Sequence, residues 1–112
     1  MNRLGDIALA RSGDKGAHAN IGVWTRRAEA FEFLRRELTA DRVAQHFHAL
    51  APHAVERYEL PNINAFNFLL RGVLGRAGAA GSLRTDAQAK TYAQGLLLLE
   101  LDIPPALLTA GR

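Results

Sequence analysis

The sequence lacks cysteine and any long apolar run. Without cysteine, the chain has no disulfide, zinc–thiolate site, thiol nucleophile or iron–sulfur cluster built on its own thiols. The most apolar stretch, LLLLELDI, is far shorter than the roughly 20 residues of a membrane span. The first residues, MNRLGDIALARSG, contain no signal-peptide core. These absences predict a cytoplasmic protein with no membrane partner.

Lysine is also scarce, although the net charge is +3. Only Lys15 and Lys90 are lysines, and the other basic residues are arginines interleaved with acids, as in RRAEAFEFLRREL. A mixed-sign surface of this kind disfavours nucleic-acid binding, which needs positive charge concentrated on one face. With 48% hydrophobic and 22% charged residues, the 112-residue chain has the composition of a folded protein, and we expect one domain over residues 1–112.

Apolar periodicity predicts strands and helices in alternation. Residues 4–11 and ANIGVWTR read as two strands, and AVERYELPN and INAFNFLLRG as two more, the last with a helical turn as the alternative. Residues 28–50 read as helical, with a break near Thr39, a plausible N-cap for a second helical segment. A final helix begins near Asp86. The predicted class is α+β, with a mostly antiparallel sheet and helices packed on one face.

The stretch RSGDKGAHAN carries the densest group of polar residues. We expect a turn over Ser12–Gly16, because Asp and Gly tolerate turn geometry. Its two glycines, a lysine and a hydroxyl are also the components of an anion-binding nest. It does not match the nucleotide-binding P-loop spacing. From the residues alone, both readings stay open.

Other motifs point to little chemistry. His46 and His48 are two residues apart on a predicted helix and face different directions, so they indicate no metal site. Neither serine has a nucleophile-elbow context, and the glycines of residues 72–81 lack dinucleotide-binding spacing, so no cofactor is indicated. A second polar cluster could clamp a phosphate or carboxylate, cap the sheet or meet a partner chain; its members are Asn62, Asn64, Asn67, Arg71, Ser82 and Arg84.

Three segments taken together resemble a known family. LGDIALARSGDKGAHANIGV, ERYELPNINAFNFLLRGVLG and SLRTDAQAK are similar, in order and spacing, to the small C-terminal domain of the acyclic terpene utilisation protein AtuA family. The similarity spans about residues 4–101. The matching motif positions are Ser12, Gly13, Asp14, Lys15, Gly16, Asn20, Asn62, Asn67, Arg71, Arg84 and Asp86.

The resemblance implies a ferredoxin-like fold and a setting in the catabolism of branched or terpenoid acyl-CoA compounds. It carries no catalytic residue to this chain. It does favour a functional surface, and the candidate ligand-binding residues are Ser12, Gly13, Asp14, Lys15, Gly16, Asn20, Asn67, Arg71 and Arg84. In this family a large domain usually precedes the small one, and we expect this chain to be the separately encoded small half.

Two functions follow as expectations. The first is an accessory subunit that pairs with a larger AtuA-like chain, with no catalytic role of its own. The second is a self-sufficient homo-oligomer that binds acyl-CoA or another anionic ligand through the Ser12–Gly16 loop and Arg71, with Asp14 as the only obvious general base.

Overall fold

The computed structural model describes residues 2–15, 18–50, 52–73 and 91–108. Its strands are β1 (Asn2–Arg3), β2 (Leu9–Lys15), β3 (His18–Trp24), β4 (Ala54–Leu60), β5 (Ala65–Arg71) and β6 (Glu100–Leu101). Its helices are α1 (Ala28–Glu37), α2 (Ala40–His46), α3 (91–97) and α4 (Pro105–Leu108). Short 3₁₀ helices cover Leu4–Asp6, His48–Leu50 and Pro61–Ile63. Among these residues, no helix has the length and apolar character that a membrane crossing requires.

The main sheet has four antiparallel strands in the order β2-β3-β5-β4. It consists of two hairpins, β2–β3 and β4–β5, joined at the centre by the pairing of β3 with β5. The chain therefore runs hairpin, helices, hairpin, helix. If the order is read from β3 and β2 is counted last, it is the β-α-β-β-α-β order of a ferredoxin-like unit. In this chain β2 comes first in sequence instead of last. The predicted α+β class and ferredoxin-like architecture are confirmed.

One face of the sheet is covered by the helices, and its side chains form the core. Alternation along β3 buries Ile21 and Val23, which pair with Phe68 and Phe66 of β5. The Phe66 ring stacks on Phe31 of α1, with centroids 4.7 Å apart. Each buried aromatic or aliphatic side chain of this kind contributes about 1.5–3 kcal/mol by leaving water. We call this side of the sheet the covered face.

The helical segment divides where the sequence predicts. Thr39 is the N-cap of α2, and its hydroxyl oxygen accepts a hydrogen bond from the Arg42 N–H at 3.1 Å. The end of α1 is held from the sheet: Arg57 of β4 donates to the carbonyl oxygens of Arg35 and Leu38 at 2.9 and 3.0 Å. These bonds satisfy carbonyls that a helix end leaves without an internal partner.

Two sequence-based boundaries are wrong. The strand predicted for residues 4–11 begins only at Leu9, since Leu4–Asp6 form a 3₁₀ helix whose Leu4 N–H donates to the Leu99 carbonyl. The turn predicted over Ser12–Gly16 is also wrong for Ser12 to Lys15, and Gly16 lies outside the described residues. Ser12 to Lys15 belong to β2 and pair with β3 in unbroken register.

The helix near the C-terminus ends at 97, and LLLLELDI continues into β6.

Candidate functional site on the open face of the sheet

The other face of the sheet carries most of the sequence motifs. Cross-strand pairing arranges its residues in rows, such as Arg11–Gly22–Asn67–Tyr58 and Gly13–Asn20–Leu69–Glu56. The β3 side chains on this side are partly exposed, in contrast with the buried ones between them. We call this side the open face; its described members are Leu9, Arg11, Gly13, His18, Asn20, Gly22, Trp24, Ala54, Glu56, Tyr58, Leu60, Ala65, Asn67, Leu69 and Arg71.

The SGDK residues are divided between the two faces. Ser12 lies on the covered face, where its hydroxyl oxygen accepts a hydrogen bond from the Ala93 N–H of α3 at 3.1 Å. Gly13 lies on the open face. The backbones of Asp14 and Lys15 pair within the hairpin, but their side chains lie outside what the structure describes. Ser12 therefore joins β2 to a helix, and its contact is structural.

Two candidate residues, Gly16 and Arg84, lie outside the described residues, and so does Asp86. Three others are brought to the open face although they are far apart in sequence: Asn20, Asn67 and Arg71. The Asn20 side-chain amide donates to the Asn67 side-chain oxygen at 3.2 Å. This bond links neighbouring strands at the centre of the open face.

Arg71 is held by a carboxylate. Its Nε and Nη2 donate to the two oxygens of Glu56 at 2.7 and 3.2 Å, and the Tyr58 hydroxyl donates to the same carboxylate. The hydrogen bonds from Arg71 and then Tyr58 lower the pKa of Glu56 below its usual value. The hydrogen bond to Glu56 raises the pKa of Tyr58. A ligand phosphate or carboxylate bound by Arg71 would have to compete with Glu56 for the guanidinium.

His18 contacts the end of β5 beside this cluster. The Gly72 N–H donates to His18 Nδ1 at 2.9 Å, so this ring nitrogen is an acceptor and is unprotonated in this arrangement. Gly72 has a φ of 83°, and a Cβ there would lie 2.8 Å from His53 Nδ1. The positive φ therefore favours glycine at position 72, and a Cβ there would also require the His53 side chain to move.

A shallow groove occupies the β2–β3 half of the open face. It is lined by the open-face residues Arg11, Gly13, Asn20, Gly22 and Trp24 and by Ser12, which lies between Arg11 and Gly13 in β2, and its volume is about 350 Å³. Gly22 is its centre, with Arg11 and Asn67 in the same row and Asn20 and Trp24 two residues away on either side. The sequence analysis did not select Gly22, Trp24, Glu56 or Tyr58 as site residues. Period-two alternation outward from Asn20 places Gly22 and Trp24 on the same face, whereas Glu56 and Tyr58 reach that face only through the pairing of β4 with β5.

The remaining histidines make structural contacts. His46 Nε2 lies 2.8 Å from the Gly95 carbonyl oxygen, and His48 Nδ1 lies 3.0 Å from that of Gln45. Within the described ranges, no three His, Asp or Glu side chains are grouped as metal ligands.

Comparison with known proteins gives one match. The family model of the AtuA ferredoxin-like domain matches residues 2–102. No curated protein and no solved structure matches the chain.

Proposed function

Because this chain belongs to the AtuA ferredoxin-like domain family, we propose that it is an accessory subunit that docks onto a larger AtuA-like chain through the open face of its sheet. The role proposed for the pair is in the catabolism of branched or terpenoid acyl-CoA compounds. The observation that carries the docking proposal is an apolar surface at the β4 side of that face.

This surface is the β4 patch, which we define as Tyr58, Leu60 and Ile63. The three side chains are 50%, 43% and 65% exposed. Tyr58 and Leu60 share the open face of β4, and Ile63 lies in the 3₁₀ helix that follows. Large apolar side chains at the centre of a surface, with polar neighbours around them, are typical of a protein–protein interface.

The polar neighbours of the β4 patch also suit a binding partner. Tyr58 and Arg71 are oriented by Glu56 before any partner arrives, so little side-chain freedom would be lost on docking. Tyrosine and arginine are among the residues that most often dominate binding energy. In addition, β4 is the edge strand of the sheet among the strands that the structure describes, and an edge strand is a common docking place for a further strand.

The docking test uses a defined partner. The tagged chain is mixed with a purified AtuA-like protein from the same genome, chosen because that protein lacks a ferredoxin-like domain of its own. The mixture is separated by size-exclusion chromatography, and the mass of each peak is measured by light scattering. We expect a complex with equal numbers of the two chains. Separate elution of the two proteins at micromolar concentrations would contradict the proposal.

The second candidate is a self-sufficient homo-oligomer that binds acyl-CoA or another anionic ligand. It is favoured by the groove beside Arg11, a cation on the open face. This function predicts a purified chain larger than a monomer and an acyl-CoA-dependent rise in melting temperature without any partner. A monomer whose melting temperature does not respond to acyl-CoA would exclude it.

A further inference from the structure

Gly13 and Gly22 are diagonal neighbours on the open face, in adjacent cross-strand rows, and the fold requires glycine at neither position. Gly72 is the only described glycine with a positive φ, so Gly13 and Gly22 have backbone conformations open to any residue. A Cβ at Gly22 would meet nothing closer than the Arg11 carbonyl oxygen at 3.8 Å. A Cβ at Gly13 would lie 3.4 Å from the side-chain oxygen of Asn20, an ordinary contact.

Glycine in a strand interior weakens the strand, since it costs chain entropy and leaves no side chain to pack. Where neither backbone angle nor space requires it and the ladder has no bulge, a strand glycine often marks a place where another molecule approaches the backbone closely. Gly22 is central to the groove, so an occupant of the groove would rest directly on the sheet there. The two glycines therefore form a flat floor.

The walls of this groove define the chemistry of its occupant. Arg11 supplies a guanidinium directly across from Gly22, Trp24 supplies an aromatic surface two residues beyond Gly22 on β3, and Asn20 adds a polar amide two residues before it. Arg11 is exposed and makes no ion pair with any residue in the part of the chain that the structure describes. A guanidinium pairs best with a carboxylate or phosphate, and tryptophan with a flat ring.

We infer that the groove over Gly22 binds a planar organic anion, whose ring lies on the glycine floor against Trp24 and whose carboxylate or phosphate pairs with Arg11. The groove volume of about 350 Å³ is at the small end of the range for small-molecule sites. This inference does not depend on the docking function, because the site lies within this chain, and it deepens the second candidate function by naming the ligand class of the same groove.

The test uses the isolated chain and its own reporter. Trp24 is the only tryptophan, so intrinsic fluorescence reports on the groove directly. Benzoate and AMP are titrated as the carboxylate and phosphate probes, with benzamide and adenosine as uncharged controls, and excitation is set beyond the absorption of the probes. We expect a saturable change with at least one anion, with a Kd on the order of a millimolar, as for a fragment-sized ligand in a shallow site.

Variants locate the binding. Gly22→Val should abolish it while leaving the urea midpoint of unfolding equal to or higher than that of wild type, because valine favours strands. Gly22→Ala is the smaller replacement if valine prevents folding, and it should weaken binding. Arg11→Gln should weaken it at least about tenfold. Ala54→Val, on the same face at the end of β4, and Arg36→Gln, on the exposed side of α1, are matched controls and should bind like wild type.

Each result is decisive. Saturation by benzoate alone assigns the site to carboxylates, saturation by AMP alone assigns it to phosphates, and either supports the inference. Three results would overturn it: no saturable change with either anion, equal binding of the uncharged controls, or wild-type affinity in folded Gly22→Val. None of these results bears on whether the larger chain docks at the β4 patch.

Discussion

Asn20 and Asn67 are 47 residues apart in sequence, yet their side chains are joined by a hydrogen bond of 3.2 Å across β3 and β5. The two strands come from different hairpins, so this bond connects the two halves of the sheet on its open face. It also fixes the orientation of Asn20, which lines the groove over Gly22.

The Asn20–Asn67 bond should contribute measurably to stability. Asn20→Ala and Asn67→Ala should each lower the free energy of unfolding by about 1 kcal/mol, the usual net value of a partly buried hydrogen bond. The double variant should lose less than the sum of the two, since each single change already breaks the bond. Urea unfolding of all four proteins measures this coupling. Strict additivity would show that the bond contributes nothing.

Thr39 should stabilise α2 through its cap. Thr39→Ala removes the acceptor for the Arg42 N–H and should cost about 1 kcal/mol of unfolding free energy. Thr39→Ser keeps the hydroxyl and is the control, with a much smaller loss. Denaturant titrations give both values. Equal losses in the two variants would mean that the hydroxyl is not the stabilising group.

Arg57 should not be replaceable by lysine. Its guanidinium donates to two carbonyls at the end of α1 and lies 5.4 Å from the centre of the Phe66 ring. Lysine keeps the charge but not the planar fork, so Arg57→Lys should cost about 1–2 kcal/mol of unfolding free energy. Arg36→Lys, at an exposed position of α1, is the matched control and should be neutral. A neutral Arg57→Lys would contradict this account of how α1 ends.

Glu56 should make stability depend on pH. Its pKa is lowered in the folded protein, chiefly by the hydrogen bond from Arg71, so its stabilisation is present above the ordinary glutamate pKa and is lost as the pH falls through the lowered value. The difference in unfolding free energy between wild type and Glu56→Gln should therefore be largest near neutral pH and should decrease towards zero in acid. Unfolding curves across the acid range measure it. A constant difference would exclude ionisation of Glu56 as the cause.

The sequence correctly predicted the elements that are determined by residues adjacent to one another in the chain. Thr39 was identifiable as a cap because a capping residue and the helix that it caps are adjacent in sequence. The strand β4 was predicted from AVERYELPN, closed by Pro61, which cannot donate to a ladder, and β5 was predicted from the apolar run INAFNFLLRG. The error over Ser12–Lys15 has the opposite origin, because Asp and Gly favour turns locally whereas pairing with β3 extends the strand.

Roles that depend on register could not be predicted in the same way. The sequence offers an anion clamp as one of three roles for Arg71, but its partner Glu56 lies on the neighbouring strand, and only the β4–β5 pairing brings the two together. The groove over Gly22 likewise depends on the pairing of β2 with β3, which brings Arg11 beside Gly22. One-residue shifts in register would move each of these side chains to the other face of the sheet.

Docking through the β4 patch is the central claim, and two leucines test it most directly. Leu60 on the open face and Leu98 after α3 are 43% and 56% exposed, so aspartate at either position should leave the fold intact. The measurement is the affinity of each variant for the larger AtuA-like chain, determined by calorimetric titration. We expect Leu60→Asp to weaken binding at least about tenfold, as burying a charge in an apolar interface does, and Leu98→Asp to bind like wild type. Wild-type affinity in Leu60→Asp, or equal losses in both variants, would contradict docking through this face.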